Sequence, residues 1–179
     1  EQSGINETID TARSLGLTTL EDKNQYGLSM ALGSAPATLI EMTNAYATFA
    51  NRGQHNNITT IQSITNKDKR VIFKNKPIDK QAISSQTAHI LSSILSDNVA
   101  RSEIFGSGLN LTGARKKKEK TGTTEDYRDA WTIGYTPSLT IGVWIGNNDN
   151  SPMSRIAGSS GAAPIWKNLM QQLLAGTPS

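Results

Sequence analysis

Apolar side chains recur every three or four residues in three stretches of the first hundred residues, which predicts amphipathic helices. The first helix is expected to begin at an N-cap, Asn6, and to stop at Gly16. The second follows a capping-box pattern from Thr38 to Glu41 and is expected to end at Gly53. The residues at helical spacing are Ile9, Ala12, Arg13 and Leu15 in the first helix, and Met42, Ala45, Tyr46, Phe49 and Ala50 in the second.

Two β-branched stretches, residues 58–65 and 71–73, follow the second helix. They are separated by a polar turn, Asn66-Lys67-Asp68-Lys69, and this arrangement predicts a hairpin. A third helix is expected from near Ser84, followed by a loop. Its predicted buried stripe is Ala88, Leu91, Ile94 and Leu95, and the loop is marked by Gly106, Gly108 and Gly113.

The last third of the chain predicts three strands, at residues 118–124, 130–135 and 139–145. Their short links favour antiparallel pairing. A closing amphipathic helix over 163–174 is expected to bury Ile165, Trp166, Leu169, Met170 and Leu173. Helices followed by an antiparallel meander and a final helix predict an α+β domain in which helices flank an antiparallel sheet.

Composition narrows the possible functions. A net charge of +3, dispersed along the chain, does not favour nucleic acid binding. With no cysteine there is no thiolate chemistry, and the two histidines, His55 and His89, lack partners at ligand spacing, so neither a metal nor a cofactor is predicted. His55 is expected to be exposed.

The chain begins at Glu1 and has no apolar run of the ~18 residues that span a bilayer. We interpret the chain as a fragment of a longer protein.

The stretch Lys120-Thr121-Gly122-Thr123-Thr124 combines a cation, a glycine and three hydroxyls at the start of the predicted sheet. An edge strand with this sequence offers backbone groups that can pair with an extended peptide, and the glycine allows a ligand to approach. The lysine and the hydroxyls suit a terminal carboxylate. Lys-Thr-Gly is also one of three motifs in enzymes that acylate a serine.

Three segments carry a family resemblance: EKTGTTEDYRDAWTIGYTPSLTIGVWIGNNDN (119–150), YGLSMALGSAPATLIEMTNAYATFANRG (26–53) and SSGAAPIWKNLM (159–170). Together they resemble the C-terminal half of the transpeptidase domain of class A penicillin-binding proteins, the bifunctional peptidoglycan synthases. The resemblance covers nearly the whole chain. It implies a partial domain of the penicillin-binding and β-lactamase-like fold, and a serine DD-transpeptidase that cross-links peptidoglycan stem peptides and is acylated by β-lactams.

The resemblance also implies roles for the residues of the third motif. Lys120 stabilises the charged network around the nucleophile, and Thr121 and Thr123 hold the substrate carboxylate beside Gly122. The amide of Thr123 completes an oxyanion hole, and its removal is expected to be costly for catalysis. Thr124 is a weaker assignment. Tyr127, in the turn after the motif, is expected to touch substrate, whereas Trp131 and Trp144 are expected to pack in the core.

The nucleophile box Ser-x-x-Lys is absent from the 179 residues. We therefore expect the serine and its lysine in an N-terminal half that is not in this chain, and the chain by itself is expected to be inactive. The resemblance further implies that a membrane anchor of the parent protein holds the domain at the extracytoplasmic face of the bacterial membrane. The expected partners are stem peptides, β-lactams and the missing half-domain.

Two further motifs have a simpler interpretation. Ser96-Asp97-Asn98 reproduces the family's second motif letter for letter, but it lies too close to Lys120, and we interpret it as a helix C-terminus with local side-chain to backbone bonds. The basic run at Arg115, Lys116, Lys117 and Lys118 is expected to be a solvated loop entering the strand.

Two alternative functions remain open from the residues. One is a DD-carboxypeptidase or β-lactamase-like hydrolase that shares the three motifs. The other is a non-catalytic remnant that binds peptidoglycan or a partner protein through the same strand.

Overall fold

The computed structural model describes residues 4–20, 22–77, 80–100, 117–154 and 156–176. Within these ranges, helices lie on both faces of a three-stranded antiparallel sheet, which confirms the predicted α+β class. The helices are α1 (Ile5–Ser14), α2 (Leu39–Ala50), α3 (Ser85–Leu95) and α4 (Ala162–Leu174). The strands are β1 (Gln54–His55), β2 (Ser63–Thr65), β3 (Val71–Lys74), β4 (Lys80–Gln81), β5 (Lys118–Thr123), β6 (Asp129–Tyr135) and β7 (Thr140–Gly146).

The three strands predicted in the last third form one sheet in the order β5-β6-β7, and all of its pairings are antiparallel. The predicted hairpin is also present as the pair β2-β3, in which Ile64 lies opposite Phe73. Its first strand begins at Ser63, later than expected. The predicted loop glycines at 106, 108 and 113 lie outside the described residues.

One face of the sheet is covered by α4. Trp166, Met170 and Leu174 form a buried cluster there, against side chains of β7 and the residue before it. The Trp166 indole N–H donates to the carbonyl of Ile141 at 3.1 Å, which ties the helix to β7.

The predicted buried face of this last helix is partly wrong. Trp166 and Met170 are buried, but Ile165, Leu169 and Leu173 are 47%, 39% and 57% exposed. The helix packs on the sheet through a stripe with small residues at its start, Ala162 and Ala163. Its second apolar stripe, at spacings of four residues, therefore faces away from the sheet.

The opposite face of the sheet is covered by α2 and α3. Gly142 of β7 lies so close to α2 that an added Cβ would be 2.1 Å from the Thr43 hydroxyl oxygen. Tyr135 of β6 lies between the two helices: its ring meets the Tyr46 ring edge-on at 6.3 Å, and its hydroxyl is 2.8 Å from that of Ser92. Burial, with Tyr135 nearby, raises the pKa of Tyr46 to about 12.

The helix boundaries follow the capping chemistry closely but not everywhere. The capping box from Thr38 to Glu41 is formed, and the chain leaves α2 through Gly53 at φ +84°. The prediction of Asn6 as the N-cap is wrong: α1 begins at Ile5, because the Thr8 amide already bonds the carbonyl of Gly4.

The predicted buried stripe of α3 is wrong at Ile94, which is 65% exposed although Ala88 is buried.

His55 was predicted to be exposed, and this is wrong. The ring is buried, its Nδ1 lies 3.2 Å from the Thr48 hydroxyl, and it packs on Gly16, where an added Cβ would be 2.4 Å away. Burial, together with the charge of Lys80, lowers the pKa of His55. Gly16 thus ends α1 through its positive φ (+95°), and its lack of a side chain leaves space for the ring.

A buried carboxylate connects α2 to the segment after α1. Glu41 accepts hydrogen bonds from the backbone amide and hydroxyl of Thr18, at 3.0 and 2.5 Å, and from the hydroxyls of Thr19 and Thr38. Burial by itself raises the pKa of Glu41, but these donors outweigh it and lower the pKa to about 2. The ionised form is therefore part of the folded state.

Glu41→Gln should destabilise the protein by about 1–3 kcal/mol at neutral pH, because the amide replaces an acceptor by a donor that faces Thr18. The native pKa is depressed, so the stabilisation is present above pH 4.5 and is lost as pH falls toward 2. Urea unfolding at pH 7 and pH 3 measures both effects. The matched control, Glu7→Gln at an exposed carboxylate in the first turn of α1, should change stability by less than about 1 kcal/mol. Equal effects of the two variants would contradict the assignment.

Candidate functional site

The candidate site is built on β5, which is an edge strand in the part of the chain that the structure describes. Its pairing with β6 runs from Lys118 opposite Tyr135 to Thr123 opposite Ala130. The Thr124 amide donates to the carbonyl of Asp129 at 3.1 Å, so the backbone groups of Thr124 point toward β6. Backbone groups alternate in direction along an antiparallel strand, and the amides of Thr123 and Thr121 are therefore directed to the outer edge.

Alternation also divides the side chains of the motif between the two faces. Lys120 and Gly122 lie on the face that carries α2 and α3, whereas Thr121 and Thr123 lie on the α4 face with Glu119. Lys120 is exposed, and its ammonium donates to the carbonyl of Thr121. At Gly122 an added Cβ would meet one neighbour within 4 Å, the Cβ of Trp131 at 3.8 Å, so this face of the strand has space for a ligand.

Thr123 is attached to the segment that leads into α4. Its hydroxyl oxygen accepts a hydrogen bond from the Gly158 amide at 3.0 Å. The hydroxyl of Thr132, on β6, donates to the carbonyl of the same glycine at 3.2 Å. The end of the motif is thus held in place by residues from the C-terminal part of the chain, and no sequence pattern indicated this contact.

Thr124 closes the turn between β5 and β6. Its hydroxyl oxygen accepts from the Asp129 amide at 2.8 Å and its hydroxyl lies 3.1 Å from the Asp129 carboxylate, which also accepts from the Trp144 indole at 2.8 Å. In the same turn Asp126 and Tyr127 have φ values of +59° and +55°, which non-glycine residues rarely adopt. The turn leaves Tyr127 41% exposed beside the motif.

A buried ion pair precedes Lys120: Glu119 is on β5, and Lys117 is the residue before this strand. The Lys117 ammonium lies 2.7 Å from a carboxylate oxygen of Glu119, both side chains are almost completely buried, and the ammonium is 5.3 Å from the centre of the Trp166 ring. The prediction of a solvated basic run is therefore wrong at Lys117. Arg115 and Lys116 lie outside the described residues. One signal in the sequence could have indicated the ion pair. Residues 117 and 119 carry opposite charges two positions apart, which places both side chains on the same face of a strand, here the face covered by α4.

The literal Ser-Asp-Asn match has the local structure expected of a helix end. Ser96 is the C-cap of α3, and its hydroxyl donates to the carbonyl of Ser93 at 2.9 Å. The Asp97 carboxylate accepts from the amides of Val99 and Ala100 at 2.9 and 3.1 Å. The Ser96 bond confirms the interpretation as a helix C-terminus, whereas Asp97 caps the helical residues 98–100 that follow.

The site residues predicted from the sequence are therefore close together on one strand and its turn. Trp131 and Trp144 lie opposite each other on β6 and β7, and both are partly exposed rather than fully in the core.

In the described ranges, no helix is both long and apolar enough to cross a membrane, and no cluster of three or more acidic or histidine side chains is arranged to hold a metal.

Known proteins provide an independent comparison. Residues 10–171 match the family described as the penicillin binding protein transpeptidase domain. The chain is 32% identical over 180 residues to penicillin-binding protein 2D of Bacillus subtilis, covering 98% of this chain and 25% of the relative. It is 33% identical over 155 residues to penicillin-binding protein 1A of Neisseria meningitidis, covering 83% of this chain and 19% of the relative.

Solved structures agree with this comparison. The penicillin-binding protein PonA1 of Mycobacterium tuberculosis superimposes with a TM-score of 0.85 and 28% identity, over 99% of this chain and 52% of that one. The same protein has been solved in complex with penicillin V. The chain thus spans about a quarter of the curated relative's length and about half of the solved chain.

Removing one partner of the buried pair should be far more harmful than removing both. Glu119→Leu or Lys117→Met alone should destabilise the protein by about 3–5 kcal/mol, because each removes the partner that lies 2.7 Å from a buried charge. The double variant should recover most of that loss, and urea unfolding of all four proteins measures the cycle. The exposed pair of Arg128 and Asp126 provides the control, since Asp126→Asn should cost at most about 1 kcal/mol. Additive losses in the double variant would contradict the role of the pair.

Proposed function

Because the chain belongs to the penicillin-binding protein transpeptidase domain family, we propose that it supplies the substrate-binding strand of a peptidoglycan DD-transpeptidase. The proposal is carried by one observation: Lys120, Thr121, Gly122 and Thr123 lie on a strand whose outer edge has no partner strand among the described residues. A stem peptide, or a β-lactam that mimics it, would lie along this edge as an added strand.

The direction of the backbone groups supports a role in stabilising charge. The Thr123 amide faces the outer edge, where it serves as one donor of an oxyanion hole for the carbonyl under attack. Gly122 leaves space for the ligand on one face, and the hydroxyls of Thr121 and Thr123 bind the carboxylate from the other. Lys120 provides positive charge beside the nucleophile. Thr124 maintains the turn, and Tyr127 borders the ligand.

The proposed reaction is acyl transfer through a serine. The serine hydroxyl, its proton taken by a neighbouring lysine, attacks the penultimate carbonyl of one stem peptide, and the terminal amino acid leaves with the proton. The amine of a second stem peptide then attacks the ester, which forms the cross-link and releases the serine. With a β-lactam the ring C–N bond opens instead, and the acyl group stays on the serine.

We propose that the serine and its lysine come from an N-terminal half of the same domain, since the chain contains no Ser-x-x-Lys. The surface supports this. Apolar side chains are exposed on α4, at Ile165 and Leu173, and on α3, at Ile90 and Ile94. An N-terminal half that packs on these helices would cover them. The parent protein would act at the extracytoplasmic face of the bacterial membrane, held there by an anchor elsewhere in its chain.

Lys120→Ala in the intact parent protein should reduce the rate of acylation by penicillin about 100-fold or more, while thermal unfolding stays nearly unchanged because the side chain is exposed. Stopped-flow or gel-based labelling with a fluorescent penicillin measures the rate. Lys118→Ala is the matched control, because it removes a lysine from the same face of β5 two residues earlier. Normal acylation of the Lys120 variant, or equal losses in both variants, would show that the charge of Lys120 has no special role.

The intact parent protein should be labelled covalently by fluorescent penicillin, and the 179-residue chain by itself should not. Labelling is read on denaturing gels and by the mass of the acylated protein. Failure of the intact protein to be labelled would favour a non-catalytic, binding function for the family member. Labelling of the isolated chain would show that the nucleophile lies within it.

A further inference from the structure

Gly158 makes the closest contact between the C-terminal segment and the proposed substrate-binding strand. It is buried over the Gly122–Trp131 pair of β5 and β6. An added Cβ would lie 2.5 Å from the Gly122 carbonyl oxygen, 2.6 Å from the Trp131 carbonyl oxygen and 3.1 Å from the Gly122 amide nitrogen. All three atoms belong to the backbone, so a side chain at position 158 would have to displace the strands themselves.

Both backbone groups of Gly158 are also bonded. Its amide donates to the Thr123 hydroxyl oxygen at 3.0 Å, and its carbonyl accepts from the Thr132 hydroxyl at 3.2 Å. The same carbonyl accepts from the Ala163 amide, in the first turn of α4, at 2.9 Å. The glycine therefore connects the beginning of α4 to the hydroxyl at the end of the motif.

We propose that Gly158 is a positioning residue for carboxylate recognition: by donating to Thr123 Oγ1, it fixes the rotamer of that hydroxyl and directs its proton to the substrate. This inference rests on the proposed function and adds a residue to its machinery. A hydroxyl that accepts from a fixed amide keeps its single proton to donate, and a carboxylate is an acceptor only. The amide of Gly158 does not itself touch the ligand.

The physical reason for a glycine at this position is the distance between the two chains. The amide reaches Thr123 only because the backbone of residue 158 lies directly on the β5–β6 pair. Any Cβ pushes the segment away, lengthens this hydrogen bond and releases the Thr123 rotamer. A hydrogen bond to a charged group then becomes weaker, with a loss of about tenfold to hundredfold in affinity for the carboxylate.

The test compares acylation of the intact parent protein by a penicillin that has its carboxylate and by the methyl ester of the same penicillin. The ratio of the two second-order rate constants reports carboxylate recognition, and it cancels losses in folding or in the oxyanion hole that affect both ligands. In Gly158→Ala and in Thr123→Val the ratio should fall about tenfold or more. The double variant should show no further fall, because both changes remove the same hydrogen bond. Thr123→Ser should keep the ratio.

Two further variants make the outcome decisive. Gly161→Ala is the matched control: it adds a methyl group in the same segment, but against the side chain of Ile156 at 2.4 Å, and it should leave the ratio unchanged. Thr132→Val removes one of the two hydrogen bonds to the Gly158 carbonyl without adding bulk. It loosens the attachment of Gly158 to β6, so it serves as the test if Gly158→Ala does not fold, and it should lower the ratio.

A ratio within about twofold of the wild type in the folded Gly158→Ala protein, or in Thr132→Val where that protein does not fold, would overturn the positioning role and leave the proposed function intact. An unchanged ratio in Thr123→Val would overturn it as well. A wild-type protein that neither penicillin acylates would instead refute the proposed function, and this inference with it.

Discussion

The antiparallel pairing of β5 with β6 is the constraint on which the rest of the site depends. It fixes which backbone groups of the motif are used inside the sheet and which are directed to the edge. It also assigns Lys120 and Gly122 to one face and the two threonines to the other. A shift of one residue in this register would exchange the faces, direct Lys120 into the packed α4 side and remove the glycine from the open side.

The sheet transmits this constraint to the helices through a few close contacts. Gly142 lets α2 approach one face, and Trp166 of α4 covers the other through a hydrogen bond to Ile141. The pair of Lys117 and Glu119 lies between β5 and Trp166, so the strand enters the motif with both of its preceding inward charges compensated. A buried pair of this kind contributes little net stability, whereas loss of either partner alone is costly.

Much of the secondary structure was predictable from local signals. The capping box at Thr38, the stops at Gly16 and Gly53 and the alternation of the last three strands act within a few residues, and the structure confirms them. The wrong predictions concern burial. Ile94, Ile165 and Leu173 have helical spacing and are exposed, and His55 and Lys117 are polar and buried. Burial depends on what packs against a residue from distant parts of the chain, and a periodic pattern shows only that one face is apolar.

The candidate site likewise combines features that the sequence predicts with contacts that depend on the tertiary structure. The sequence by itself determined the motif from Lys120 to Thr124, its position on a strand and the absence of Ser-x-x-Lys, because these depend on residue identity and local pattern. Only the tertiary structure decided that Thr123 is held by Gly158, that Thr124 bonds Asp129 and that the Lys117–Glu119 ion pair is buried beside Trp166. These contacts join residues that the sheet and α4 bring together, and the close approach of two backbones leaves no trace in the sequence except a glycine.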